Sequence, residues 1–178
     1  SAASFRMVGP IHGTGVGLQT NEIALFLAAF VAGGALAQYP VGWLADKFDR
    51  RWVLIWLSVA AICSCMQTVF FTGQGTQAIL LTAALFGLTT FPIYSIAAAH
   101  AHDWAEDAQR VELSAALMFA YALGAIASPL VTSGLIALYG PSALFVFIAG
   151  AHVGLLIFGF FRMGRRPSAA QRNPYVWI

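Results

Sequence analysis

Residues able to do chemistry are scarce in this chain and fall into four groups. The densest is PVGWLADKFDRR at 40–51, where Asp46, Lys47, Asp49, Arg50 and Arg51 crowd together. Acids and bases this close can pair with one another, anchor a turn at anionic headgroups, or exchange partners. A second group is HAHD at 100–103. His100 and His102, two apart on a helix, diverge by roughly 200°, so the spacing does not suit a shared metal, and a gating or headgroup role suits Asp103 and its neighbours better. The third group is Gln38, Tyr94, Ser95 and Tyr121, whose uncharged polar atoms and rings suit either a neutral solute or hydrogen bonds between helices. Single residues make up the fourth. His152 is an ionisable group deep in an apolar run, a functional candidate by default, although a packed neutral histidine explains it as well. Cys63 and Cys65 leave one helix in different directions and suit neither a disulfide nor a metal site. No catalytic set and no metal- or cofactor-ligating set emerges, so neither enzyme activity nor a cofactor is expected, and nothing points to nucleic acid.

The elements that must carry these residues are set by how the charge is distributed. The 178 residues are 60% hydrophobic and 9% charged, with a mean hydropathy of +0.77. Soluble domains run near 25% charged, which excludes a water-soluble globule. Residues 23–45, 52–102 and 113–161 contain no Asp, Glu, Lys or Arg. About 20 apolar residues cross a hydrocarbon core, so the first run makes one span and the others two each. TGQGTQ (72–77) and YGPS (139–142) supply the dividing turns. The expected fold is all-α, a polytopic bundle over 22–163 with helices near 22–45, 52–71, 77–101, 112–137 and 142–162. A period-2 alternation is lacking, which argues against an outer-membrane barrel.

If the spans alternate, the turn 46–51, the loop 102–111 and the tail 164–178 share one side with Arg162. That side holds eight of the nine bases, and Arg6 alone lies opposite. The positive-inside rule makes the eight-base side cytoplasmic. The glycine-rich segment 1–21 then reads as an extracytoplasmic loop with no helix before it, and no signal peptide is legible. The whole reads as a fragment of a longer protein.

Small residues let backbones approach in lipid. Ala29, Gly33 and Ala37 form such a stripe on the first span, and Ala120, Gly124, Ser128 and Thr132 one on the fourth. Pro40, Pro92 and Pro129 fall inside the first, third and fourth spans, where each removes a backbone hydrogen bond and bends its helix. Bends are tolerated around a cavity. Those three spans are expected to surround something, with the second and fifth as outer supports.

The run from Gly42 to Arg51 resembles the loop signature of the major facilitator superfamily, G-x-L-a-D-[RK]-x-G-[RK]-[RK]. The match covers Gly42, Leu44, Ala45, Asp46, Lys47, Arg50 and Arg51. It departs at Asp49, where glycine is usual and where Asp can take left-handed angles. In that family the signature joins the second and third helices of each six-helix half. The resemblance implies a secondary transporter working by alternating access, with this cluster gating the cytoplasmic side. Its degenerate form, and the likeness of FPIYSIAAAHAHD (91–103) to a tenth-helix segment of bacterial permeases, place the chain as helices eight to twelve. Helices two to six of the first half are the alternative. Locally, Gly42 is expected to allow close packing, Asp46 to cap the start of the second span, and Arg50 and Arg51 to anchor the six-residue turn.

The expected partners are therefore the bilayer, a small-molecule substrate and a missing N-terminal half, in a bacterial inner membrane with a cytoplasmic C-terminus. No carboxylate lies within a membrane core, so none here, Glu22 included, is expected to be a proton-coupling site. A non-transporting structural or partner-binding subunit is the competing class, and a membrane-embedded enzyme a more distant one.

Overall fold

The computed structural model describes residues 1–70 and 75–163. The tail 164–178 and the first half of the TGQGTQ turn lie outside them. Six α-helices follow one another: α1 (Ala2–Gly15), α2 (Thr20–Lys47), α3 (Arg50–Phe70), α4 (Thr76–His102), α5 (Arg110–Tyr139) and α6 (Ala143–Met163), with a 3₁₀ turn at Asp107–Gln109 before α5. Helices α2 to α6 have 21 to 30 residues each. At 1.5 Å per residue even the shortest matches a hydrocarbon core of about 30 Å. All five are apolar enough to cross a membrane, and there is no strand among the described residues. The chain is an all-α, multi-pass membrane bundle.

Helix α1 corrects one expectation. Residues 2–15 form a helix, where the glycines of 1–21 suggested a loop. Gly9 and Gly13 are buried on its packed face, where a Cβ would touch Phe26 in the first case and press on Ile23 in the second. Glycine costs about 1 kcal/mol in a helix interior, and burial of the apolar residues around these two offsets it. Phe5 is fully buried, with its ring 4.9, 4.2 and 5.1 Å from those of Phe26, Phe30 and Phe86. The helix stops where Gly17 takes φ +90°. The amides of Gly17 and Leu18 then reach back to the carbonyls of Thr14 and Gly13, satisfying the end by a Schellman motif. His12 Nδ1 lies 2.9 Å from the Pro141 carbonyl oxygen and Ser4 donates to Ser128 at 2.7 Å, tying α1 to α5 and to the α5–α6 turn.

The tightest seam joins α2 to α4. A Cβ on Gly33 would collide with the Ala84 carbonyl, one on Gly87 with the Phe30 carbonyl, and one on Gly34 with the Phe91 ring. The backbones approach until no side chain fits between them, as lipid-embedded helices require when hydrophobicity cannot drive association. The stripe on α5 behaves differently. Thr132 is buried and Ser128 is bonded to Ser4, whereas Ala120 is exposed and Gly124 has open space around it. Helix α3 packs between α4 and α6, and α6 continues to α5. Helix α2 touches neither α5 nor α6, so α2 and α5 form two separate flanks. Pro40, Pro92 and Pro129 lie inside α2, α4 and α5, which continue through them.

Candidate functional site

Helices α2 and α3 are joined by Phe48 and Asp49 alone, a two-residue link in place of the expected six-residue turn. Asp46 and Lys47 therefore belong to the last turn of α2, and Arg50 and Arg51 to the first turn of α3. The cap of α3 is Asp49 and not Asp46. Its carbonyl accepts from Trp52 and Val53, and its Oδ1 accepts from the Arg51 amide at 3.0 Å. No non-glycine residue among those described has positive φ, so Asp49 needs no left-handed backbone to replace the glycine of the signature. Asp49 also grips the Arg51 guanidinium in a fork, Nη2 to Oδ2 at 2.7 Å and Nε to both oxygens.

That leaves Arg50 to join three helices. It is 4% exposed. Its Nη1 donates to Asp103 Oδ1 at 2.5 Å and to the Ala99 carbonyl at 3.1 Å, and its Nη2 to Asp46 Oδ1 at 3.4 Å. The end of α2, the start of α3 and the end of α4 thus meet on one guanidinium. The two carboxylates are not equivalent. The Asp103 side chain is 4% exposed and lies close; that of Asp46 is 32% exposed and lies farther off. A close, buried charge pair resists separation far more than a long, wet one. Asp46 is the more weakly held of the two.

The other residues of the signature have local roles. Lys47 Nζ lies 3.9 Å from the centre of the Trp43 ring. Leu44 packs beside Ala45, Val53, Leu57 and Ile96 in a small apolar cluster that seats the junction. Gly42 departs from expectation. A Cβ there would meet nothing within 4 Å, so it makes no close packing among the described residues and instead lines a cavity.

That cavity, of about 90 Å³, also takes in Gln38, Ser95, Asp46 and Arg50. It unites two of the four polar candidates with the charge cluster. Tyr94 and Tyr121 are elsewhere, paired across α4 and α5 with ring centroids 5.0 Å apart, and the Tyr94 hydroxyl donates to Met118 Sδ at 3.4 Å. Adjacent positions on a helix point about 100° apart, which is why Ser95 turns towards α2 while Tyr94 turns towards α5.

HAHD also separates. His100 lines a different cavity, His102 Nε2 lies 3.2 Å from Ser114 Oγ, and Asp103 bonds Arg50. The Arg50–Asp103 pair joins two runs that sequence reasoning treated separately. Its signal was present, since both residues border charge-free spans on the same side and so share one membrane level. At the opposite end, Glu22 accepts from the Gln19 amide at 2.8 Å and from Thr76 Oγ1 at 2.7 Å, fastening the start of α2 to that of α4. His152 is buried on α6. Cys63 is exposed and Cys65 buried.

The sequence profile described as Major Facilitator Superfamily matches residues 1–176. An uncharacterized MFS-type transporter of Enterobacter sp. (strain 638) is 27% identical over 159 residues, 89% of this chain and 40% of the relative. One from Yersinia pestis (strain Pestoides F) is 28% identical over 169 residues, covering 95% and 42%. The uncharacterized MFS-type transporter YcaD of Salmonella arizonae is 30% identical over 159 residues, covering 89% and 40%. The chain spans about two fifths of the length of these curated relatives.

Proposed function

This chain belongs to the Major Facilitator Superfamily, and we propose that it forms helices eight to twelve, within the C-terminal half, of a secondary active transporter. The transporter moves a small solute by alternating access, in a bacterial inner membrane, with the Arg50 end of the bundle and the C-terminus cytoplasmic. The observation that carries the reading is the single guanidinium on which α2, α3 and α4 converge. The buried Asp103 arm holds α3 to α4 throughout. The exposed Asp46 arm exchanges between Arg50 and donors of the N-terminal half as that side opens and closes.

On this reading α2, α4 and α5, with Pro40, Pro92 and Pro129 as their bending points, surround the solute path. The separation of α2 from α5 leaves two unpaired flanks for the N-terminal half to meet. Gln38 and Ser95 beside the charge cluster, and the Tyr94–Tyr121 pair, offer hydrogen bonds and ring faces but no formal charge, which suits a neutral or amphipathic solute. Any coupling carboxylate lies in the other half, because Glu22 is engaged in fastening helix ends. Membership of the Major Facilitator Superfamily supports a transporter in preference to an enzyme.

The test is flux of candidate solutes into proteoliposomes containing the full-length protein. Replacing Asp46→Asn keeps the shape and removes the charge. With expression and folding unchanged, flux is expected to fall at least about fivefold, the lower end of ordinary coupling energies. Undiminished flux would remove the gating role.

A further inference from the structure

A second cavity, larger than the one beside Arg50, lies away from the proposed path, between α3, α4 and α6 at the Arg50 end of the bundle. It measures about 480 Å³, within the range of small-ligand sites, and its walls are apolar, with Leu54, Ala97 and Leu155 among them. Polar groups gather at its mouth. Arg51 sits in the first turn of α3, Trp104 just beyond α4, and Arg162 in the last turn of α6. A hydrophilic solute would lose most of its hydration there, with Ser58 and His100 alone on the walls to replace it. A molecule with one apolar limb and an anionic head fits both regions.

We infer that this cavity binds one anionic phospholipid of the leaflet on that side. An acyl chain lies between α3, α4 and α6, and the phosphate meets the guanidinium of Arg162. Three observations choose this occupant. The cavity opens where helix ends place it at headgroup depth. Trp104 stands at that depth, where an indole is favoured because its ring is apolar and its N–H polar. The charge is cationic through Arg162, which lies 5.9 Å over the Phe158 ring with no carboxylate partner among the described residues, whereas the charge of Arg51 is balanced by Asp49. A zwitterionic headgroup brings its own cation to that mouth and gains less. The inference needs only that the chain spans a membrane, so it stands or falls separately from transport.

The test is native mass spectrometry of the intact protein in detergent, titrated with phosphatidylglycerol or phosphatidylcholine of identical chains. Wild type is expected to retain about fivefold more phosphatidylglycerol, the effect of roughly one arginine at a membrane surface. Arg162→Gln is expected to bring the two lipids near parity. Ala97→Phe, which fills the cavity from one wall, is expected to lose the bound phosphatidylglycerol with thermal stability retained. Equal retention by wild type would make the occupant a lipid of any headgroup and overturn the anionic assignment. Retention unaffected by Ala97→Phe would place the lipid elsewhere, and no retained lipid would leave the cavity to another part of the protein; both outcomes overturn the site.

Discussion

Arg50 stands at the N-terminus of α3, where the helix dipole disfavours a cation, and Asp46 and Asp103 stand at C-terminal ends, where it disfavours anions. Each charge is tolerable only because of the others and because the guanidinium also faces the Ala99 carbonyl at the end of α4. Removing one partner of so buried a pair strands the other. Arg50→Gln is expected to cost about 3–5 kcal/mol, and Asp103→Asn a comparable amount, read as loss of thermal stability of the full-length protein in detergent. The double variant should recover much of the loss, since no buried charge is then left unpaired and Asp46 is partly solvated. Strict additivity of the two losses would show that the residues do not act as a pair. Asp46→Asn belongs to a different class. Its side chain is partly solvated, so the change should affect flux while leaving stability nearly intact.

At the scale of elements, the α2–α4 seam is the least forgiving surface. Gly33→Ala or Gly87→Ala must push two backbones apart, and each is expected to destabilise by about 1–3 kcal/mol. Gly124→Ala on α5, with open space around it, should leave the fold of this half unchanged. Comparing yield and melting temperature of the three variants checks this; equal tolerance would mean that the seam is looser than the contacts indicate. Much of the architecture was legible beforehand, because charge-free runs of this length have one solution in a membrane. Gly33 and Ala37 announced the α2 face by their spacing. What the sequence hid were features set by contacts between distant segments. Helix α1 read as loop because its glycines cost helicity locally, and only Phe26, Phe30 and Phe86 around Phe5 show what is recovered. Asp46 could cap α3 only across a six-residue turn; with a two-residue link it is Asp49 that reaches the free amides. Within the candidate site the cluster's members were readable, but the split of Gln38 and Ser95 from Tyr94 and Tyr121 depends on which neighbour each face of α4 meets.

For the molecule as a whole, the charge bias predicts an orientation that direct labelling can check. With Cys63 and Cys65 replaced by serine, Ser142→Cys in the α5–α6 turn is expected to react with a membrane-impermeant maleimide in intact cells. Asp107→Cys, in the turn before α5, should react only after permeabilisation. The reverse pattern would invert the assignment of sides and with it the cytoplasmic position of the Arg50 cluster. The two-residue link between α2 and α3 has a further consequence. Each residue of an α-helix turns the next by 100°, so Phe48 and Asp49 act as a phase setting between two screws. One residue more would swing Arg50 round the axis of α3 and away from Asp103, even with every side chain of the cluster still present. The length of the joint is thus as much a part of the lock as the charges it aligns.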